Sequence, residues 1–249
     1  MKSKYILFLL LLISYEVAGQ IYNVEQRRLV TDTTGWAGKV SLSVSASKFT
    51  KSVFSLNASS HLQYKTDRDL YLFIVNYDII NADGENFDNR AYAHLRYNRK
   101  LNEWVRLEYF FQIQNNALTK VRERILNGIG ARMKLSNFEK AKFYFGLAYM
   151  HEYEVLTEPV IKNNDHRISS YFTFTLLPED GISLSNTTYI QPLIKDFNDY
   201  RVSNDTNLQF AISKNLHFST IFTFLYDAKP PIEVPSLNYQ IRNGIIYKF

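Results

Sequence analysis

The 249-residue sequence contains no cysteine. As an exported chain it would form no disulfide and offer no N-terminal cysteine for acylation, which excludes a disulfide-stapled secreted domain and a lipoprotein. Past its opening, no apolar run approaches the roughly 18 residues of a membrane-crossing helix, so a helical membrane protein is excluded as well. Proline is sparse, with six residues at 159, 178, 192, 230, 231 and 235. Neither sign of charge dominates. The formal net charge of +5 is too small and too dispersed to argue for a nucleic-acid partner.

What the opening does hold is MKSKYILFLLLLISYEVAGQ: lysines at 2 and 4, an apolar stretch from Tyr5 to Ile13, and small residues at Val17, Ala18 and Gly19. This is the layout of a secretory signal peptide at 1–19, too short to span a hydrocarbon core of about 30 Å. Its removal lowers the charge to +4 and leaves 230 residues, enough for one large domain.

Aromatics are abundant at 15 %, almost all Tyr and Phe. They suit a barrel wall, where one side of each strand meets lipid and Tyr and Trp mark the interfaces. The periodicity agrees. In EWVRLEYFFQIQ, Val105, Leu107, Tyr109, Phe111 and Ile113 alternate with Arg106, Glu108, Phe110, Gln112 and Gln114. The same period of two recurs in KVSLSVSAS (39–47), VFSLNASSHLQY (53–64) and KFYFGLAY (142–149). About twelve such segments occur, starting near Gly35, Val53, Asp69, Asn89, Trp104, Arg122, Lys142, Asp165, Ile182, Tyr200, Leu216 and Leu237. The expected fold is therefore all-β, a closed antiparallel transmembrane β-barrel of about twelve strands over 35–249. An even count places both ends on the periplasmic side.

The even-numbered connections (KTDR, NRKLN, LSNFEKA, LPEDG, SKN) read as compact. The odd ones (NADGENFD, EYEVLTEPVIKNN, PLIKDFND, DAKPPIEVPS) read as longer outer loops, with a short exception near 48–51. All six prolines fall in connections or at strand ends, where no central ladder bond is lost. Residues 20–34 carry no clear pattern, and both a periplasmic and a lumenal placement stay open.

The chain closes on RNGIIYKF, with Asn243, Ile245, Tyr247 and Phe249 on one face. The polar Arg242, Gly244, Tyr247 and terminal Phe249 resemble the C-terminal assembly signal of outer-membrane barrels. In lipid every backbone polar group must be paired, so the last strand is expected to close on the first.

Along the wall, DTTGWAG (32–38), LEYFFQIQNN (107–116), RILNGIGARMKL (124–135), DHRISSY (165–171) and YIQPLIKDFNDYR (189–201) occur in order. On these stretches the chain resembles the salt-induced outer membrane protein family, a domain-of-unknown-function barrel family, in its Bacteroidetes-like form. The resemblance implies an outer-membrane β-barrel of envelope or osmotic-stress type in a Gram-negative cell, and no reaction. Expected partners are outer-membrane lipid and lipopolysaccharide, and the barrel assembly machinery during biogenesis. The expected state is a monomer.

No enzymatic or metal chemistry stands out. Gly128 and Gly130 lack the third glycine of a dinucleotide loop and read as strand glycines. The histidines (61, 94, 151, 166, 217) are scattered, so no cofactor or metal is expected. The acidic DGENFD (83–88) lacks the spacing of a calcium loop. A lipid hydrolase would need an activated serine; His166 and Ser169 are nearest but three apart, hence on opposite faces of a strand. A soluble periplasmic β-barrel is a further alternative.

The strongest signal is the charge on inward positions: Arg90, His94, Arg96, Arg106, Glu108, Arg124, Arg132, Lys134, Glu152, Glu154, Arg167, Arg201, Asp205 and Arg242. Charge at membrane depth is costly unless it pairs or meets water. Either Arg and Glu pair and fill a narrow lumen, a structural role, or an arginine surplus lines a narrow anion-leaning diffusion channel.

Overall fold

The computed structural model describes residues 33–247 except 49, 51, 137, 179, 180 and 214. The expected signal peptide and nearly all of the 20–34 segment lie outside the described residues, as does Phe249. Twelve strands make one antiparallel sheet: β1 (Gly35–Lys48), β2 (Ser52–Lys65), β3 (Asp69–Ala82), β4 (Glu85–Lys100), β5 (Val105–Asn116), β6 (Val121–Lys134), β7 (Ala141–Leu156), β8 (Lys162–Leu176), β9 (Ile182–Leu193), β10 (Asp196–Ala211), β11 (Leu216–Asp227) and β12 (Leu237–Tyr247). Each pairs with its sequence neighbours, in the order β1 to β12. The pairings among the described residues do not include one between β12 and β1.

The alternation in the sequence is the alternation of the wall. On β5, Glu108, Phe110, Gln112 and Gln114 are buried at 5–8 % exposure, while Leu107, Tyr109, Phe111 and Ile113 between them stand 39–44 % exposed. Inward polar and outward apolar is the pattern of a sheet with lipid outside and its core within. Outside, Trp36, Tyr64, Tyr71 and Tyr97 form a continuous aromatic row over β1 to β4, with centroid spacings of 4.9, 6.4 and 5.0 Å. Tyr109 on β5 extends it, opposite Tyr97. The row lies near the rim that carries the first strand's start.

The strand count agrees with the sequence, and nine of the twelve starts lie within one residue. β4, β8 and β10 begin three or four residues early. The predicted long odd-numbered loops are the correction. Those ladders continue outward until the connections shrink to 83–84, 157–161 and 194–195, and only 228–236 is long. At 83–84, Asp83 (φ 51) and Gly84 (φ 86) both take the left-handed region. That is the two-residue turn whose twist matches the flanking strands, and Oδ1 of Asp83 accepts from the Ser52 amide at 2.7 Å. Turn chemistry thus overrode loop length as a signal. The prolines do sit in connections, or, for Pro192, next to last in β9.

Candidate functional site

The interior is the site. Its centre is Glu152 on β7, 1 % exposed. Period-two geometry aims Glu152 and Glu154 inward together, and three arginines from three other strands converge on them. Oε1 of Glu152 lies 2.9 Å from Nε of Arg124 (β6) and 2.5 Å from Nη1 of Arg201 (β10); Oε2 lies 2.7 Å from Nε of Arg167 (β8). Glu154 pairs with Arg124, and with Arg201 at 3.5 Å. Asp227 on β11 holds Nε of Arg201 at 2.9 Å, and Asp199 on β10 holds Nη2 of Arg167 at 3.0 Å. Seven charged groups on five strands therefore satisfy one another, three cations against four carboxylates. Burying them is tolerable only because every charge has partners.

Toward the rim that bears the chain ends lies a second layer. Glu108 stands 3.9 Å from Nη1 of Arg96 and accepts the hydroxyl of Tyr171 at 2.7 Å. The Arg132 guanidinium lies 3.7 Å from the ring centroid of Tyr144, a cation–π contact. Arg106 stands opposite Arg132 in the ladder. Between the layers, Phe110, Leu126 and Met150 pack with Ala148. Only about 40 Å³ remains empty here, enclosed by side chains that include Arg96, Glu108, Arg124, Glu152 and Tyr171. That volume suits a water or two.

Two glycines make this packing possible. A Cβ on Gly128 would come within 2.4 Å of the Phe110 ring, and one on Gly146 within 2.1 Å of the Tyr171 ring. Each ring lies over the glycine directly opposite it in the ladder.

At the opposite rim, a single 3-10 turn at Ala117–Thr119 ends on Lys120 (φ 57). Lys120 Nζ reaches Glu233 in the 228–236 connection at 2.5 Å and Glu158 at 3.9 Å. Lys229 pairs with Asp196 at 2.6 Å. These contacts hold the proline-bearing connection over a vestibule of about 360 Å³ whose lining includes Arg167 and Arg201. The hydrogen bond from Lys120 holds the Glu233 carboxyl below the usual carboxylate range, and the bond to Asp196 raises Lys229 above its ordinary value.

Residues 40–249 match the family described as "Protein of unknown function, DUF481". The chain belongs to that family. Comparison with curated proteins finds no match. Among solved structures, this DUF481 chain is similar to a NanC porin in a rhombohedral crystal form, at 11 % identity and a TM-score of 0.49. The likeness covers 84 % of this chain and 100 % of that one. At that level it carries no functional argument.

Of the inward charges expected from sequence, Arg124, Glu152, Glu154, Arg167 and Arg201 meet in the central network, and Arg96, Glu108 and Arg132 in the second layer. Arg90 and His94 are buried on the same wall, and Oε1 of Gln112 lies 3.0 Å from Nδ1 of His94. Arg106, Lys134 and Asp205 are half-buried and stand outside the central network. Arg242 is exposed on β12 and joins none of these ion pairs; Gly244 and Tyr247 are exposed beside it.

Sequence reasoning missed Asp199 and Asp227. Asp199 sits where the β9–β10 register shifts, between Asp196 and Tyr200, so period two fails there. Asp227 ends β11 two residues after the buried Leu225, a parity that could have shown it. The apolar interior layer was also missed, because period two sorts faces without revealing what meets across the lumen.

The hydrolase candidates part as parity requires. Ser169 is buried inside, accepting from Gln191 at 3.0 Å, while His166 faces outward against the Tyr149 hydroxyl. The carboxylates at 85 and 88 lie outside the described side chains. Among the described residues no cluster of metal-ligating side chains occurs.

Proposed function

We propose that this protein is an outer-membrane β-barrel with a filled lumen, closed by pairing of β12 with β1, and that it serves the envelope structurally rather than as a pore. The observation that carries the reading is Glu152, in direct contact with three arginines from three strands beside a cavity of only about 40 Å³. Side chains that tie β6, β7, β8, β10 and β11 together stiffen a wall and occupy the interior between those strands. The envelope or osmotic-stress assignment follows from the sequence resemblance and accords with a load-bearing, non-catalytic wall. Ser169 and His166 on opposite faces of β8 make no activated nucleophile, so we read the chain as a non-enzyme.

A second reading, a narrow anion-leaning channel, is favoured by one feature. The wall toward the chain ends carries Arg96, Arg106, Arg132 and Lys134 with Glu108 on the same face, and Arg106 and Arg132 are directly opposed. Planar-bilayer conductance of the reconstituted protein separates the two. Insertion without current steps supports the filled wall. Discrete anion-selective steps that weaken in Arg106→Gln and Arg132→Gln variants would replace it with the channel.

A further inference from the structure

The outer surface of the wall has a feature that the lumen does not explain. Four polar side chains stand together on the outward face of β9 and β10: Asn186 and Thr188 on one strand, and their ladder partners Thr206 and Asn204 on the other. Parity fixes the face, since Thr187 between the first two and Ser203 beside Asn204 are buried, while Ile190 is exposed. The four close a ring. Nδ2 of Asn186 donates to Oγ1 of Thr206 at 2.7 Å, and that hydroxyl donates to Oδ1 of Asn204 at 2.8 Å. Nδ2 of Asn204 donates to Oγ1 of Thr188 at 2.7 Å, and that hydroxyl donates to Oδ1 of Asn186 at 3.2 Å.

The ring does not use up its own groups. A primary amide has two N–H donors and its carbonyl two lone pairs, and the ring engages one of each. These side chains make no other bond among the described residues. One N–H and one lone pair on Asn186, and the same on Asn204, are therefore left over. All four residues lie at least four positions from a strand end. At the rise and tilt of barrel strands that is about 10 Å from either rim, within an apolar band about 25 Å tall. Lipid at that depth offers a polar group no partner.

On either side of the ring the wall is aromatic. Phe172 and Phe174 on β8 stand opposite Thr188 and Asn186, and Phe224 and Phe222 on β11 stand opposite Asn204 and Thr206. Ring centroids within the two pairs are 6.2 and 5.9 Å apart. On a convex wall the β9–β10 seam is a crest, with the longer phenylalanines set back beside it.

We propose that this crest is the contact between two copies of the chain, each closing its own barrel, related by a twofold axis along the membrane normal. A second copy is the occupant that the chemistry selects. Its ring presents the same number of spare amide donors and carbonyl acceptors at the same depth, so neither side keeps a surplus. The twofold also sets Phe172 and Phe174 of one copy toward Phe222 and Phe224 of the other, in the wedges that two convex walls leave beside their line of contact. Lipid tails fill such wedges but give the amides no partner. The inference rests on the membrane-spanning reading above, and it replaces the monomer expected from sequence.

The test introduces single cysteines into the cysteine-free chain and treats native membranes with a short bifunctional thiol reagent. Ile190→Cys and Val202→Cys flank the ring on the crest and should give covalent pairs of chains, whereas Phe111→Cys on the outward face of β5 should stay single. Asn204→Leu should weaken self-association in detergent micelles about tenfold, as read by analytical ultracentrifugation. That is the scale of two hydrogen bonds inside a membrane, one from each copy. Leucine suits a lipid-facing position, so this variant should still insert.

Equal cross-linking at Phe111→Cys and at the crest, adducts to a different protein, or unchanged association in Asn204→Leu would each overturn the dimer. Protease protection and heat-modifiable migration of the same samples report insertion separately. A chain that fails to insert sinks the membrane reading itself, whereas one that inserts and stays single sinks only the contact.

Discussion

Tyr171 on β8 donates its hydroxyl to Oε2 of Glu108 on β5 at 2.7 Å, joining strands that are not neighbours in the sheet. A barrel wall needs only ladder bonds, so a buried bond between distant strands is a property of a core. Tyr171→Phe keeps the ring over Gly146 and removes only the donor. It is expected to cost about 1–3 kcal/mol, because a buried carboxylate loses a partner. The urea midpoint of the protein in detergent micelles checks this; an unchanged midpoint would show that the bond contributes nothing.

Glu152 carries more. Glu152→Gln leaves Arg124, Arg167 and Arg201 around a neutral amide and is expected to destabilise the fold by about 3–5 kcal/mol, as breaking a buried pair does. Arg201→Lys cannot serve Glu152, Glu154 and Asp227 at once and should lose part of that amount. The same urea titration ranks them, and Glu152→Gln behaving like the parent would deny the network a structural role.

The strands and most of their faces were legible because a wall that is apolar outside and polar inside imposes period two along a regular strand. On β5 even Phe110 fell on the correct face. The network was legible as a set of inward charges, yet not as a set of contacts. That Glu152 would meet Arg201, three strands away, depends on the curl of the sheet, which no periodicity encodes. The odd-numbered connections were misread for a local reason: Asp83–Gly84 is a complete turn by itself, so the polar residues after it belong to β4.

Gly128 offers a test by sign. If it were an ordinary strand glycine, Gly128→Ala would stabilise by about 0.5–1 kcal/mol through lost unfolded-state freedom. With the added Cβ 2.4 Å from the Phe110 ring, it should instead destabilise by about 1–3 kcal/mol. In a Phe110→Leu background most of that cost should vanish. A double-mutant cycle read by thermal unfolding gives the coupling, and additivity would refute the packing account.

The 228–236 connection should respond to pH and salt. Glu233 has its carboxyl lowered by Lys120, so the pair is intact above the ordinary 4.5 of a glutamate and is lost as pH falls through the lowered value. Lys229 is raised by Asp196, so its pair is intact below the ordinary 10.5 and is lost as pH rises through the raised value. The connection is therefore fastened across the neutral range. Both pairs are exposed, and at about 1 M salt, where the screening length is about 3 Å, they should loosen at neutral pH too. A spin label on Ile232→Cys, unambiguous in a cysteine-free chain, should gain mobility on acidification to pH 3 and in high salt. Constant mobility would mean that the prolines alone hold the connection.

The edges of the sheet give the most decisive experiment. Val40 and Leu42 on β1 and Ile245 on β12 stand 74, 69 and 70 % exposed, and the backbone groups along two such edges have no ladder partners unless the strands meet. In hydrocarbon each unpaired group costs several kcal/mol, so closure of β12 on β1 is the only economical state inside a membrane. Cysteines introduced singly at Val40, Leu42 or Val44 and combined with single cysteines at Tyr239, Ile241 or Ile245 sample the antiparallel registers between outward faces. One diagonal of that grid should form intramolecular disulfides in the native membrane, because only directly opposed positions bring Cα atoms within the required 4.4–6.8 Å. Intermolecular disulfides along the same edges would mean that the strands pair between copies, which would replace a monomeric barrel with a larger shared one. No disulfide at any position would leave the edges open, and would require the membrane-spanning reading to be abandoned.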